Sequence, residues 1–539
     1  MKSPLNEGEA SPLSVSPEAP QEVLGLEFSR NLGQISRHSA VFFLGTLFTM
    51  GAGYLVKIYV ARVLGAEQLG LYALGMTLVS LVQMAGMLGL HGTAPRFVAV
   101  YNSARKFDQL RGFLTRSTFT ILFLNIVFSI GLVLGGHWIA KNLYHAPALA
   151  QYIPLFAVLA VLGAINVFYC QVLAGFKDIA KRTVITNFVG SPLVIALTVV
   201  LLALGTGMWG YLSAQIISSV VVVALLLVAV WRLTPPEARF SLAASPPLDG
   251  EVKSMALAFM GMGALDFLVS QADKILLGLY LNPRVVGVYV LASTLSSFIP
   301  IILQSVNQIF APVIADLHAQ GRQDVLQRLF QTLTKWVIGL TFPLACVMFV
   351  FAARLLRIFG PEFESGWPVL VIGAVGQLVN CGVGSVGYLL LMSGNQKRLM
   401  KVQFAMTIVS VVTNITLIPT LGLVGAALAS AGVNVGSNLW NLYEVRKALG
   451  ISPYNRSYFA LWIPVTSALS TVLLIRYWAD RGGHAYGNPW LAIGLALVLG
   501  YTVFGGFAAA FVFDPDDRMI ARSAWSQLRA GMQRFGVKA

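Results

Sequence analysis

Charge is scarce in this sequence: 11% of its residues are Asp, Glu, Lys or Arg, against 57% hydrophobic. A soluble domain carries roughly 25% charged residues, so a water-facing surface is excluded over most of the chain. Cysteine is scarce too. Cys170, Cys346 and Cys381 all fall in apolar stretches, which excludes a disulfide framework and matches no metal-site spacing; they read as small core residues. A secretory leader is missing: residues 1–37 hold Pro4, Pro12, Pro17 and Pro20 among Ser and Glu, where a basic start and a short apolar stretch would be needed. They read as a disordered cytoplasmic tail. There is no Gly-x-x-x-x-Gly-Lys-[Ser/Thr] run to hold ATP phosphates and no His-Glu-x-x-His zinc motif. Residues 382–387, GVGSVG, are not a nucleophile elbow. The best candidates for acid–base work are Glu362, Glu364 and Asp480 with His484, and the first two sit in a Gly-Pro-Glu turn that looks like a helix start. The chain therefore reads as a non-enzyme with no cofactor and no metal.

What is present is apolar sequence in blocks. Residues 113–136, 184–204, 214–231, 334–353, 402–418 and 489–512 are each nearly free of charge. About 20 apolar residues of helix cross the hydrocarbon core, and only helices or closed barrels satisfy their backbone there. Fourteen spans are expected: 38–61, 69–92, 113–136, 151–174, 184–206, 208–231, 255–281, 285–311, 334–353, 366–392, 402–419, 422–443, 457–476 and 489–512. The fold class is thus an all-α polytopic membrane protein of about 14 helices.

The basic residues alternate with the loops. Counting span-end residues with the adjoining loop, the N-terminal tail, the loops after even-numbered spans and the C-terminal tail hold 28 of the 37 Lys and Arg, the other loops hold 7, and Lys57 and Lys274 lie deeper within spans. Basic residues mark the cytoplasmic side, so both termini are expected in the cytoplasm. The net charge of +15 is then mostly membrane anchoring and not a nucleic-acid footprint. After Asp514, Asp516 and Asp517, an amphipathic pattern (Ala521, Trp525, Leu528, Met532, Phe535, flanked by arginines) predicts a helix lying on the cytoplasmic leaflet. Residues 323–335 are expected to form a similar short surface helix.

The chain also matches itself at a shift of 217 residues. KIYVARVLGAEQLGLY at 57–72 falls on KILLGLYLNPRVVGVY at 274–289, placing Lys57 on Lys274, Gly70 on Gly287 and Tyr72 on Tyr289. Further on, Thr77 falls on Thr294, Ser80 on Ser297, Pro95 on Pro312 and Leu204-Gly205 on Leu421-Gly422. Apolar composition alone does not align Lys, Gly, Tyr and Pro in register. Six spans per repeat restore orientation, so the repeats are parallel, as in transporters whose lobes rock about a central site. The expected organisation is a tail (1–37), a six-helix lobe (38–231), a cytoplasmic linker (232–254), a second six-helix lobe (255–443), two added helices (457–512) and the C-terminal tail (513–539).

The stretches Gly53–Tyr72 and Asp273–Tyr289 resemble the first- and seventh-helix signatures of polysaccharide transporters and O-antigen flippases. Their superfamily also holds the lipid II flippase and the multidrug and toxin exporters. The resemblance implies a two-lobed, inverted-V fold with a central cavity, in a bacterial cytoplasmic membrane. It implies an undecaprenyl-diphosphate-linked oligosaccharide as substrate, with a polymerase and glycosyltransferases as pathway partners. Charges within a bilayer are costly and usually face a cavity or a partner. Lys57 and Lys274 stand at equivalent depth, so they are candidates to attract the diphosphate across a cavity, with Arg62 and Arg96 near helix ends. Asp266 and Asp273 are the alternative partners of those lysines, or the seat of proton or sodium coupling and gating. Amides at Gln304, Asn307 and Gln308, at Gln377 and Asn380, and at Asn434, Asn438 and Asn441 form one-sided polar stripes suited to sugar hydroxyls or to helix–helix hydrogen bonds.

Overall fold

The computed structural model describes residues 19–239, 246–481 and 489–512, with side chains from Gly53 onward. The expected amphipathic helix at 513–539 lies outside the described residues. Among them there is no strand, and eleven helices are long and apolar enough to cross a membrane, or twelve if one bent pair counts as a single span.

That pair is α9 (Pro283–Ser296) and α10 (Ile301–Ala319), which bend by 52° where one span was expected. Pro300 has no N–H to give the preceding turn and its ring crowds the carbonyl four residues back, so α9 ends at Ser296. Two helical runs are interrupted by one residue of non-helical backbone each: α1 (Ala19–Met87) at Gly65, and α15 (Gln396–Leu449) at Gly422. The expected fourteen spans are reached only if each of these runs counts as two. Helix α1 also reaches back to Ala19, into the segment expected to be a tail. The prolines of that segment end at Pro20, in the first turn where a missing N–H costs nothing, and Leu24, Phe28, Leu32 and Ile35 follow at helical spacing. Residues 323–335 are not a separate surface helix. They open the continuous α11 (Gln323–Val350), which packs on α10 and α13 and whose Leu326 and Phe330 are fully buried.

The remaining elements of the first half are α2 (Leu90–Ser103), α3 (Phe107–Trp138), α4 (Ile153–Gly175), α5 (Ile179–Thr183), a π-helical turn (Val184–Gly190), α6 (Ser191–Ala203) and α7 (Gly207–Leu233). The second half opens with α8 (Gly250–Tyr280) and includes α12 (Ala352–Arg357), α13 (Trp367–Val383) and α14 (Val386–Met392). Helices α1–α7 pack among themselves, as do α8–α15. A short α16 (Arg456–Ala460) precedes α17 (Trp462–Arg481) and α18 (Pro489–Phe511), which pair and rest on α11. The Tyr501 hydroxyl seals that contact by donating to the Leu340 carbonyl at 2.8 Å.

The internal repeat closes on itself in space. A methyl group built on Gly70 would stand 1.7 Å from the Pro283 carbonyl oxygen, and one on Gly287 would stand 1.9 Å from that of Ala66. The 217-residue shift maps Ala66 onto Pro283 and Gly70 onto Gly287. The contact is therefore reciprocal, each repeat offering the other the same pair of positions, as across a two-fold axis. Only glycine lets two backbones approach this closely. This seam joins α1 to α9 at the end of the bundle that carries few basic residues. At the other end α8 leans onto α2, with Arg96 paired to Glu251 at 2.6 Å. Among the described residues α2–α7 show no comparable packing on α10, α11, α13 or α14.

Candidate functional site

Lys57 projects from the part of α1 that precedes the Gly65 break. It lines a cavity of about 380 Å³ whose described walls come from α1, α4, the π-helical turn, α6 and α7. This corrects the expectation that Lys57 looks across to the other lobe: it serves a cavity within its own. The turn at Val184–Gly190 shapes the wall, because wide π-turns displace carbonyls from the helical ladder and often mark functional sites. Ser218 donates to the Gly190 carbonyl at 3.1 Å and Ser191 to that of Thr186 at 3.3 Å. Tyr72 donates to Gln215 at 3.2 Å, with the Tyr211 ring 5.0 Å away. Asn166, Thr198 and Ser219 add further polar groups. Lys57 is the one charged side chain among the described lining residues, and among the described residues it has no ion-pair or hydrogen-bond partner. A lone ammonium in a polar, partly enclosed cavity is an anion-binding arrangement, and the hydroxyls and amides around it are the groups that bind sugars.

The corresponding residues of the second lobe are engaged with one another. Tyr289, the repeat equivalent of Tyr72, is 1% exposed and donates to Asp273 at 2.6 Å, with Ser430 3.2 Å from its oxygen. Lys274 turns back on its own helix, donating to the Ser270 carbonyl and to Gln271, both at 3.0 Å. Neither expected aspartate neutralises a lysine: Asp273 is held by Tyr289, and Asp266 is exposed with no partner among the described residues. Replacing Asp273 with alanine should leave the buried Tyr289 hydroxyl with only the longer contact to Ser430 in place of its charged acceptor, costing about 1–3 kcal/mol. The double variant with Tyr289→Phe should recover part of that loss, a coupling of about 0.5–3 kcal/mol readable by thermal unfolding in detergent.

The remaining candidates scatter. Arg96 is spent on Glu251 at the lobe seam. Gln304 and Gln308 are exposed on α10, while Asn307 is buried with its carbonyl oxygen unpaired. Asn380 donates to Gln377 at 3.2 Å and Asn438 to Asn434 at 3.0 Å, so each pair is satisfied within its helix; the Asn441 oxygen is buried and unpaired. Arg62 donates from Nε to the Ile358 carbonyl at 2.7 Å, tying α1 to the second lobe. Sequence reasoning missed Tyr72, Tyr211 and Gln215; the Tyr72–Tyr289 register was the available signal for the first.

Glu362 completes the seam. One of its oxygens accepts the Ala66 N–H at 2.7 Å, just after the Gly65 break, and the other lies 3.7 Å from Arg284. Glu362→Ala should free that N–H and weaken the closed end by about 1–3 kcal/mol, measured as roughly tenfold faster labelling of a thiol placed at the fully buried Ala66.

The family model described as polysaccharide biosynthesis protein matches residues 35–318, and the MatE model matches residues 259–420. The chain is 23% identical to the probable flippase AglR of Haloferax volcanii over 74% of this chain and 81% of that protein. It is 24% identical to the succinoglycan biosynthesis transport protein ExoT of Rhizobium meliloti over 63% of this chain and 65% of that one. In fold it is similar to the lipid II flippase MurJ, in an inward closed conformation (TM-score 0.67, 12% identity, 87% of this chain and 98% of the other). It is also similar to an inward-facing multidrug resistance MATE family transporter of the MOP superfamily (TM-score 0.63, 15% identity, 75% and 94%). With a match over residues 35–318, more than half its length, this chain belongs to the polysaccharide biosynthesis protein family.

Proposed function

We propose that the protein is a flippase that carries an undecaprenyl-diphosphate-linked oligosaccharide from the cytoplasmic to the outer leaflet by alternating access, for surface or exopolysaccharide synthesis. The observation that carries this reading is the Lys57 cavity: one unpaired ammonium among hydroxyls and amides, in the first lobe of a two-lobed bundle. A diphosphate carries about two negative charges and ammonium groups are good point-charge ligands for it. An exporter of cationic drugs would need a carboxylate there, and the described lining holds none. In the same reading both termini are cytoplasmic and the sealed Gly70–Gly287 end faces out, so the structure is closed to the outside. Asp266, exposed on α8, is then a wall of the cleft, since a carboxylate facing lipid would be strongly disfavoured, and it is the aspartate of the expected pair free to bind a proton or sodium ion. An enzymatic role draws little support. Glu362 is used at the seam and Asp480 is held by Arg354, while His484 lies outside the described residues. A polymerase and glycosyltransferases enter as suppliers and consumers of the same lipid.

The test is deletion of the gene in its host followed by analysis of membrane glycolipids and surface polymer. The reading expects lipid-linked oligosaccharide to accumulate and the polymer to disappear. Unchanged glycolipids with new sensitivity to cationic drugs would replace it with a multidrug exporter.

A further inference from the structure

The sparsely basic end of the bundle holds seven Lys and Arg residues by sequence, and four of them, all arginines, converge on one place. A cavity of about 720 Å³ is lined by Arg62, Arg284 and Arg357 with Phe359 and Glu362. A second, of about 260 Å³, is lined by Arg62, Arg354 and Arg357 with Trp490 and Ile493 of α18. Arg62 and Arg357 border both, so the two cavities adjoin and share an arginine wall along the seam between the lobes.

The guanidiniums are only partly committed. Arg62 uses Nε on the Ile358 carbonyl, which leaves its terminal nitrogens open, and Arg354 is paired with Asp480. Arg284 stands 3.7 Å from Glu362, a loose contact, and its side chain is 62% exposed. Arg357 is exposed and has no partner among the described residues. The four lining arginines face one lining carboxylate among the described residues, Glu362, while Asp480, the partner of Arg354, is shared with Arg476 at 3.6 Å. Membrane anchoring does not account for this, since anchoring residues concentrate on the opposite side and would ring the perimeter. Guanidinium forks match phosphate oxygens in pairs. The smaller cavity adds an apolar wall from Trp490 and Ile493, where the polar space meets the start of a lipid-facing helix.

We propose that this seam is an anion site for the phosphoryl group of an amphiphile, a lipid-borne phosphate or diphosphate at the outer leaflet, separate from the Lys57 cavity. Its outward placement rests on the orientation proposed above. An anion seated on Arg284 competes with Glu362 for that guanidinium, and Glu362 is the residue that caps the Ala66 N–H across the seam.

The test uses the purified full-length protein in phosphatidylcholine nanodiscs, with inorganic pyrophosphate and undecaprenyl diphosphate as probes. Neither carries a sugar, so the result stands apart from whether an oligosaccharide is the transported cargo. The Lys57→Ala variant, which removes the ammonium of the first-lobe cavity, serves as the background for all measurements and should still bind undecaprenyl diphosphate. Arg357→Gln or Arg284→Gln should weaken it about tenfold each, and the double variant about a hundredfold. Arg357→Lys should recover part of the loss, and Lys253→Gln at the opposite end should change nothing. Pyrophosphate binding with the same arginine dependence would show that the phosphoryl group alone suffices; binding of the lipid form alone would show that the apolar wall is needed. Binding of neither probe, or binding indifferent to both arginine substitutions, would overturn the site.

Discussion

Gly70→Ala is expected to cut transport by tenfold or more while the protein still inserts and folds. The added methyl would lie 1.7 Å from the Pro283 carbonyl oxygen, and that oxygen belongs to backbone, so no side chain can swing aside to admit it. The lobes must part by more than an ångström at this end. Overpacking of this kind costs about 1–3 kcal/mol, and each 1.4 kcal/mol is about tenfold in population. The cost falls on the conformation in which the seam is closed, so the cycle is starved of one of its two states. Gly287→Ala should behave alike, because its methyl would meet Ala66 in the reciprocal way. The double variant should be little worse than either single one, since both disrupt one contact. Spin labels at Glu67 and Tyr280, exposed on opposite lobes, should report a longer mean distance in each variant. An unchanged distance with normal transport would mean that this end does not close during the cycle.

Lys57→Ala should abolish transport, by about tenfold to a hundredfold or more, on the scale of about 1.5–3 kcal/mol for a hydrogen bond to a charged group. Lys274→Ala should do far less, within a few-fold, because its ammonium is satisfied by Ser270 and Gln271 of its own helix. Lys57→Arg should keep part of the activity. The ranking is the informative outcome: polymer export in cells with matched protein levels should separate the two alanine variants clearly. Equal, severe defects would instead favour two lysines acting together across a central cavity.

The repeat accounts for much of what the amino-acid order makes legible. Lys, Gly, Tyr and Pro in register define the 217-residue shift, and the same shift maps the Gly70–Pro283 contact onto the Gly287–Ala66 contact. Hydropathy places the helices well, and the proline in the Gly-Pro-Glu turn does start a short helical turn (Pro361–Gly366) ahead of α13. Other features lie beyond it. Equivalent depth does not mean equivalent surroundings. Lys57 borders a cavity because a π-turn at Val184–Gly190 opens the packing behind it, and no residue preference marks such a turn. Lys274 lacks that room because Asp273, Tyr289 and Ser430, distant in sequence, meet on three helices. Hydropathy implies one span where Pro300 breaks α9 from α10, since an apolar window averages over the break.

The most direct test of the account is translocation in a purified system. The protein is reconstituted into vesicles with the glycolipid that accumulates when its gene is deleted, and exposure of the sugar is followed with a membrane-impermeant oxidant or lectin. The account predicts that sugar enclosed at the start becomes accessible from outside with wild-type protein, and stays enclosed with Lys57→Ala or with empty vesicles. Sugar that remains enclosed with folded wild-type protein, or that escapes equally with Lys57→Ala, would contradict it.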